Sequence, residues 1–196
     1  LPHSLIPSSP PLPPLIALIS TQTINIHPLS TSDSIQTDHL NPRIVVSMTT
    51  MPSRMQFLPQ ILRAMLNQSV RPSRIYVNVP DFSVREQRSY SIPKEIYSFY
   101  HEELSPEERS ILTFLPCADF GPATKLIPVL NIETHPATVV ITIDDDIDYP
   151  KDFIKEFKMA CIRYPNAALG LKGYVLPPPK PLTSITQTLP TMTRST

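Results

Sequence analysis

Residues 139–150 read Val139-Val140-Ile141-Thr142-Ile143-Asp144-Asp145-Asp146-Ile147-Asp148-Tyr149-Pro150. Five β-branched residues in succession suit a strand, and three carboxylates follow it without a break. Beside a low-dielectric core the mutual repulsion of three acids is costly. A hard divalent cation relieves it, and Mg²⁺ or Mn²⁺ is usually held by one or two carboxylates together with substrate phosphates. If the alternation of the strand continues, Asp144 and Asp146 share one side and Asp145 points away. The plain alternative is a solvated acidic loop, with Asp148 capping a helix that opens at Pro150.

Working outward, Arg43-Ile44-Val45-Val46-Ser47-Met48 is a short apolar run suited to a buried strand. After the break at Thr49-Thr50-Met51-Pro52-Ser53, the residues Met55, Leu58, Ile61, Leu62, Met65 and Leu66 recur at helical spacing. Pro59 is compatible with that helix only in its first turn, so the helix starts near Gln56 and stops before Val70-Arg71-Pro72. Ile75–Val79 is a second strand, and the strand-helix-strand order predicts a parallel pair. A short helix is placed near Pro93–Tyr100. Ser105, Pro106 and Glu108 occupy the cap, first and third positions of another helix, ahead of a strand at Ile111–Leu115. A helix carrying Ala123, Leu126, Ile127 and Leu130 follows Gly121-Pro122. Beyond the acidic triplet, Phe153, Ile154, Phe157, Cys161 and Tyr164 face one way on a helix, and Ala167–Leu171 is a last strand.

Composition narrows the class. The chain has 17 basic and 17 acidic residues, so no net field draws it to nucleic acid or an anionic membrane. Only three glycines occur, Gly121, Gly170 and Gly173, fewer than a hairpin-rich β protein needs. The 25 prolines cluster towards the ends, where residues 1–41 and 177–196 read as disordered Pro/Ser/Thr-rich tails around a domain at 42–176. No apolar segment is long enough to span a bilayer. Cys117 and Cys161 read as core thiols in preference to a disulfide. His101 and His135 read as surface residues, and the sequon Asn67-Gln68-Ser69 as a chance match.

Three segments together resemble one family. Ile141–Pro150 looks like the strand end bearing the Asp-x-Asp motif of GT-A glycosyltransferases of the family 2-like kind. Val45–Arg54 resembles the first strand of that family and the loop that meets the nucleoside. Asp119-Phe120-Gly121-Pro122-Ala123-Thr124-Lys125-Leu126 resembles the glycine-plus-basic segment ahead of the acidic strand. The resemblance implies a Rossmann-like, mostly parallel α/β sheet flanked by helices. It also implies a metal-dependent, hexosyltransferase-like enzyme with a nucleoside-diphosphate sugar as donor and a glycan, protein or lipid as acceptor. It assigns Asp144 and Asp146 to Mn²⁺ or Mg²⁺, with Asp144 and Asp145 also on the donor side. Thr49, Pro52 and Arg54 are placed at the nucleoside, Asp81 at the base and Lys125 at the diphosphate or sugar. Each has a plainer reading: Arg54 as a solvated helix-start residue, Asp81 as a turn aspartate, Lys125 as a surface lysine and Asp145 as a turn cap. Eukaryotic members of the family work in the Golgi or elsewhere in the secretory pathway, and that compartment is implied only by the resemblance.

Two other readings compete. A haloacid-dehalogenase-like, Mg²⁺-dependent phosphatase also sets Asp-x-Asp after an apolar strand, but near the start of its domain and with a second acidic pair downstream. Here two strand-helix units precede the triplet and no such pair follows. A non-catalytic, truncated nucleotide-binding fragment is the other reading. An inverting transfer needs a positioned base, and the sequence names none after Gly173-Tyr174-Val175. The domain is therefore expected to be the donor half of a longer enzyme.

Overall fold

A computed structural model describes residues 41–165 and 167–171. The tails expected at 1–41 and 177–196 lie outside those residues except for Asn41, as does the end of the domain expected at 176. Between them, β1 (Ile44–Thr49), β2 (Arg74–Pro80), β5 (Leu112–Cys117) and β6 (Val139–Thr142) form one sheet in the order β5-β2-β1-β6. All three pairings are parallel, so helical crossovers join the strands. The α/β, parallel-sheet expectation therefore holds.

The crossover from β1 is a 3-10 turn, Pro52–Phe57, running into α1 (Leu58–Leu66). Pro59 falls in the first turn of α1, where its missing N–H costs nothing. Leu58, Leu62, Met65 and Leu66 are buried, and they pack with Val46, Met48, Ile75, Val77 and Phe114 in the principal core. The same core takes Ile96 from α2 (Lys94–Ser98), Phe99 from the π turn Phe99–Glu103, and Phe153 and Ile154 from α5 (Phe153–Arg163). Truncating a side chain as enclosed as Leu62 to alanine costs roughly 2–5 kcal/mol. The helix α3 (Pro106–Ile111) carries the expected reciprocal cap: Glu108 N–H donates to Ser105 Oγ at 3.2 Å, and Ser105 N–H donates to Glu108 Oε2 at 2.9 Å.

The other face of the sheet is thinner. Val45 and Tyr76 are covered there by Val129 of α4 (Ile127–Leu130), which follows a 3-10 turn at Gly121–Lys125. The single amphipathic helix expected after Gly121-Pro122 is thus two short pieces. Pro122 and Pro128 lack the N–H groups that continuous helix needs, and Leu126 and Leu130 are exposed rather than in the core. Gly121 sits at a φ of 60°, the left-handed region open to glycine.

Three further expectations change. Ala167–Leu171 forms no strand; it is largely exposed, with Ala167 N–H turning back to Tyr164 O at 3.1 Å. Helix α5 opens at Phe153 with Asp152 in the cap position, so exposed Asp148 is not its cap. Phe153 and Ile154 are buried, but Tyr164, which follows the last residue of the helix, is exposed. A short antiparallel hairpin, β3 (Phe82–Ser83) with β4 (Arg88–Ser89), was not foreseen. Cys117 and Cys161 are half-buried free thiols. Among the described residues, no helix is long and apolar enough to cross a membrane.

Candidate functional site

The register of β1 and β6 sets the site. Ser47 lies opposite Thr142, so the loops after the two strands leave the sheet side by side at its carboxyl edge. That edge is where open α/β sheets hold ligands. After Thr142 the last sheet bond is Ile143 N–H to Ser47 O at 3.0 Å, and the chain then turns at Asp145-Asp146. Strand alternation therefore stops before the triplet. The expected pairing of Asp144 with Asp146, with Asp145 turned away, is replaced by a different grouping.

Asp145 and Asp146 share one cation. The Arg54 guanidinium, on the 3-10 turn after β1, donates to Asp145 Oδ1 and lies 2.8 Å from Asp146 Oδ2. Thr50 Oγ donates to Asp145 Oδ2 at 2.5 Å, so both oxygens of Asp145 are taken. Asp144 faces the other way, accepting from Lys125 Nζ at 2.5 Å. Both cations singled out from sequence reach the triplet, although Arg54 lies 91 residues before the aspartate it holds. Three carboxylates against two cations leave one negative charge in excess.

The turn is anchored from below. Asp144 N–H donates to the Tyr149 hydroxyl oxygen at 2.8 Å, and the Tyr149 ring packs on Phe153 with centroids 4.6 Å apart. Burial is the main reason the Tyr149 hydroxyl is pushed above its ordinary value, with the three carboxylates adding to it against the Asp144 N–H. On the β1 side, Tyr90 donates to Thr50 O at 2.8 Å, and Glu86 accepts from the N–H of Ser53 at 3.1 Å and from its hydroxyl. The Ser53 hydroxyl bond is the first cause of the lowered Glu86 carboxyl. The Phe82–Ser89 hairpin thus buttresses the loop that carries Arg54. Thr50, Tyr149, Tyr90 and Glu86 were not anticipated. The available signal was position: each lies in or near a loop next to a strand's carboxyl end.

The remaining candidates are placed differently. Thr49 Oγ donates to Asn78 O at 2.9 Å, a bond within the sheet, and Pro52 opens the 3-10 turn. Asp81 is exposed at the end of β2, and its carboxylate acts on the Cys117 thiol instead of joining the triplet. Lys125 closes a five-residue 3-10 turn and does not head a helix. The Gly121 N–H there is bonded to Asp119 Oδ1 at 2.7 Å, so it is not a free anion donor.

The donor set suits a hard divalent cation in one particular way. Among the described residues, no three His, Cys, Asp or Glu side chains close around a point. Asp144 and Asp146 are 49% and 63% exposed and have oxygens to spare, whereas Asp145 is 12% exposed and fully bonded. Two accessible carboxylates completed by ligand oxygens match the way Mg²⁺ and Mn²⁺ are held beside phosphates. No family model, curated protein or solved structure matches the chain.

Proposed function

We propose that the acidic turn and its two cations form the donor site of a metal-dependent, GT-A-type glycosyltransferase that takes a nucleoside-diphosphate sugar. The observation that carries this reading is the convergence of Arg54 and Lys125 on Asp144, Asp145 and Asp146 at the carboxyl ends of adjacent parallel strands. A diphosphate needs cations, a divalent ion needs exposed hard oxygens, and the two meet here, Arg54 and Lys125 reaching the acidic turn from separate loops. Asp144 and Asp146 are the residues that would hold Mn²⁺ or Mg²⁺, and Asp145, bonded to Thr50 and Arg54, fixes the turn that presents them. The bound ion would neutralise charge on the departing nucleoside diphosphate. Lys125, relieved of Asp144, and Arg54, relieved of Asp146 but still held by Asp145, would bond the phosphate oxygens.

Calorimetry with a nucleoside diphosphate tests the reading. Binding is expected to require Mn²⁺ and to weaken about tenfold or more in Asp146→Ala, the loss of one charged ligand. Equally tight binding without metal, unchanged in the variant, would overturn it. Hydrolysis of a phosphate monoester that disappears in Asp144→Asn would instead favour the phosphatase reading.

A further inference from the structure

The sheet has a second opening, at the amino ends of its strands. A cavity of about 500 Å³ there is lined by Asn41, Arg43, Arg71, Ser73, His135 and Lys158 with a few apolar neighbours. These residues immediately precede or begin β1, β2 and β6, apart from Lys158 on α5, so the cavity lies at the end of the sheet opposite the acidic turn. Among the described residues, none that lines it is Asp or Glu. In a chain whose 17 basic and 17 acidic residues balance, Arg71 and Lys158 bring positive charge to a cavity whose described lining holds no acid.

The donors differ in how far they are committed. Arg43 is spent on Glu133, with bonds of 2.9 and 3.1 Å. Lys158 Nζ donates to Asn41 Oδ1 at 2.7 Å, which leaves two of its three N–H groups. Arg71 is exposed and makes no hydrogen bond among the described residues; its charge acts on Glu108 from a distance. The Ser73 N–H goes to Ile44 O at 2.8 Å, and Ser73 lines the cavity.

We propose that this cavity binds a small phosphate-type oxyanion, with Arg71 as the main ligand and Lys158 and Ser73 as supporting donors. A guanidinium fork matches two oxygens of such a group, and an ammonium adds a point charge from the side. The site is independent of the acidic turn and shares no residue with it.

The test is an amide NMR titration of the whole chain with inorganic phosphate and, separately, with glycerol 3-phosphate, ionic strength being held constant with sodium chloride. Saturable shifts are expected at Arg71, Ser73 and Lys158. Affinity should fall about tenfold or more in Arg71→Gln and in Lys158→Gln, and stay unchanged in Lys94→Gln, an exposed site on α2. Tighter binding of glycerol 3-phosphate assigns an organic phosphate; equal binding assigns the free ion. Absence of saturation, the same shifts with chloride alone, or shifts confined to Arg54 and Lys125 would each overturn the proposal. Arg71 is exposed, so Arg71→Gln decides alone should Lys158→Gln not fold.

Discussion

Replacing Arg54 by methionine separates the two partners that the candidate site is meant to hold. The Arg54 side chain is 29% exposed and pairs with Asp145, 12% exposed, and with Asp146. An exposed pair is worth about 0–1 kcal/mol, and breaking a fully buried one costs about 3–5 kcal/mol. Thr50 continues to donate to Asp145, so the cost here is about 1–2 kcal/mol of stability. The same change leaves three carboxylates opposed by Lys125 alone. For a divalent ion about 6 Å from the lost charge, in surroundings near the dielectric of water, that is worth roughly 1.4 kcal/mol, or about tenfold tighter metal binding. A diphosphate loses a charged donor and binds about tenfold more weakly at saturating metal. Calorimetry with Mn²⁺ alone, then with a nucleoside diphosphate in excess Mn²⁺, reads the two effects separately. Arg54→Lys should restore part of the nucleotide affinity. Metal binding that weakens along with nucleotide binding would refute the argument, because the variant would then have disrupted the turn itself.

Other expectations follow from the network around the sheet. Glu133 is raised by burial, but the stronger combination of hydrogen bonds and charge from Arg43 and Tyr76 holds its carboxyl below the ordinary 4.5. A lowered carboxylate contributes stability that is present above about pH 4.5 and lost as pH falls through the folded value; urea unfolding between pH 7 and pH 3 should show that slope, and Glu133→Gln should flatten it. A slope unchanged in the variant would count against the assignment. Removing the reciprocal cap with Ser105→Ala should cost about 1 kcal/mol, seen as a melting shift of about 2–5 °C, and an unmoved transition would contradict it. Burial, followed by Asp119 and Asp81, pushes the Cys117 thiol up to about 11 from 9.0. Alkylation at pH 8 should therefore be about tenfold slower, or more, than at a solvated cysteine once the higher nucleophilicity of the rarer thiolate is allowed for. Asp119→Asn should speed it, and fast reaction of the native thiol would remove the premise.

What could be read from sequence was whatever depends on neighbours along the chain. Val139–Ile143 announces a strand because five β-branched residues favour extended backbone, and α1 is visible from the spacing of Leu58, Leu62 and Met65. The Ser105 cap is likewise local. The Phe82–Ser89 hairpin was illegible because its left-handed residue is Gln87, at a φ of 51°, where glycine or asparagine would have marked the turn. Ala167–Leu171 looks like a strand by composition, yet strand formation needs a partner edge, and none of its backbone bonds reaches the sheet. The two-cation arrangement was half legible: Lys125 and Arg54 stood out as basic residues beside strand ends. Which aspartate each would meet depends on the β1–β6 register and on where the chain turns, and neither is encoded locally.

That register also bears on how the candidate site would work. Each carboxylate is matched with a group that the proposed ligand would itself engage: Asp144 with Lys125, and Asp145 and Asp146 with Arg54. A divalent ion arriving alone would compete with the Lys125 ammonium and the Arg54 guanidinium for oxygen, and a diphosphate arriving alone would compete with carboxylates for the same cations. When both arrive together, the ion takes Asp144 and Asp146 while the phosphates take Lys125 and Arg54, the latter released by Asp146 but still held by Asp145, so each released group finds a new partner. On the proposed reading, then, metal and nucleotide should bind with positive coupling, and by linkage each should raise the other's affinity by the same factor. Asp145 has a different part. With both oxygens bonded and little exposure, it is the member of the triplet least available to a ligand, and its bonds to Thr50 and Arg54 tie the loop after β6 to the loop after β1. Asp145→Asn should therefore loosen the turn and weaken both partners together, whereas Asp146→Ala should act mainly through the metal. If the two variants gave the same pattern in calorimetry, that division of roles within the triplet would fail.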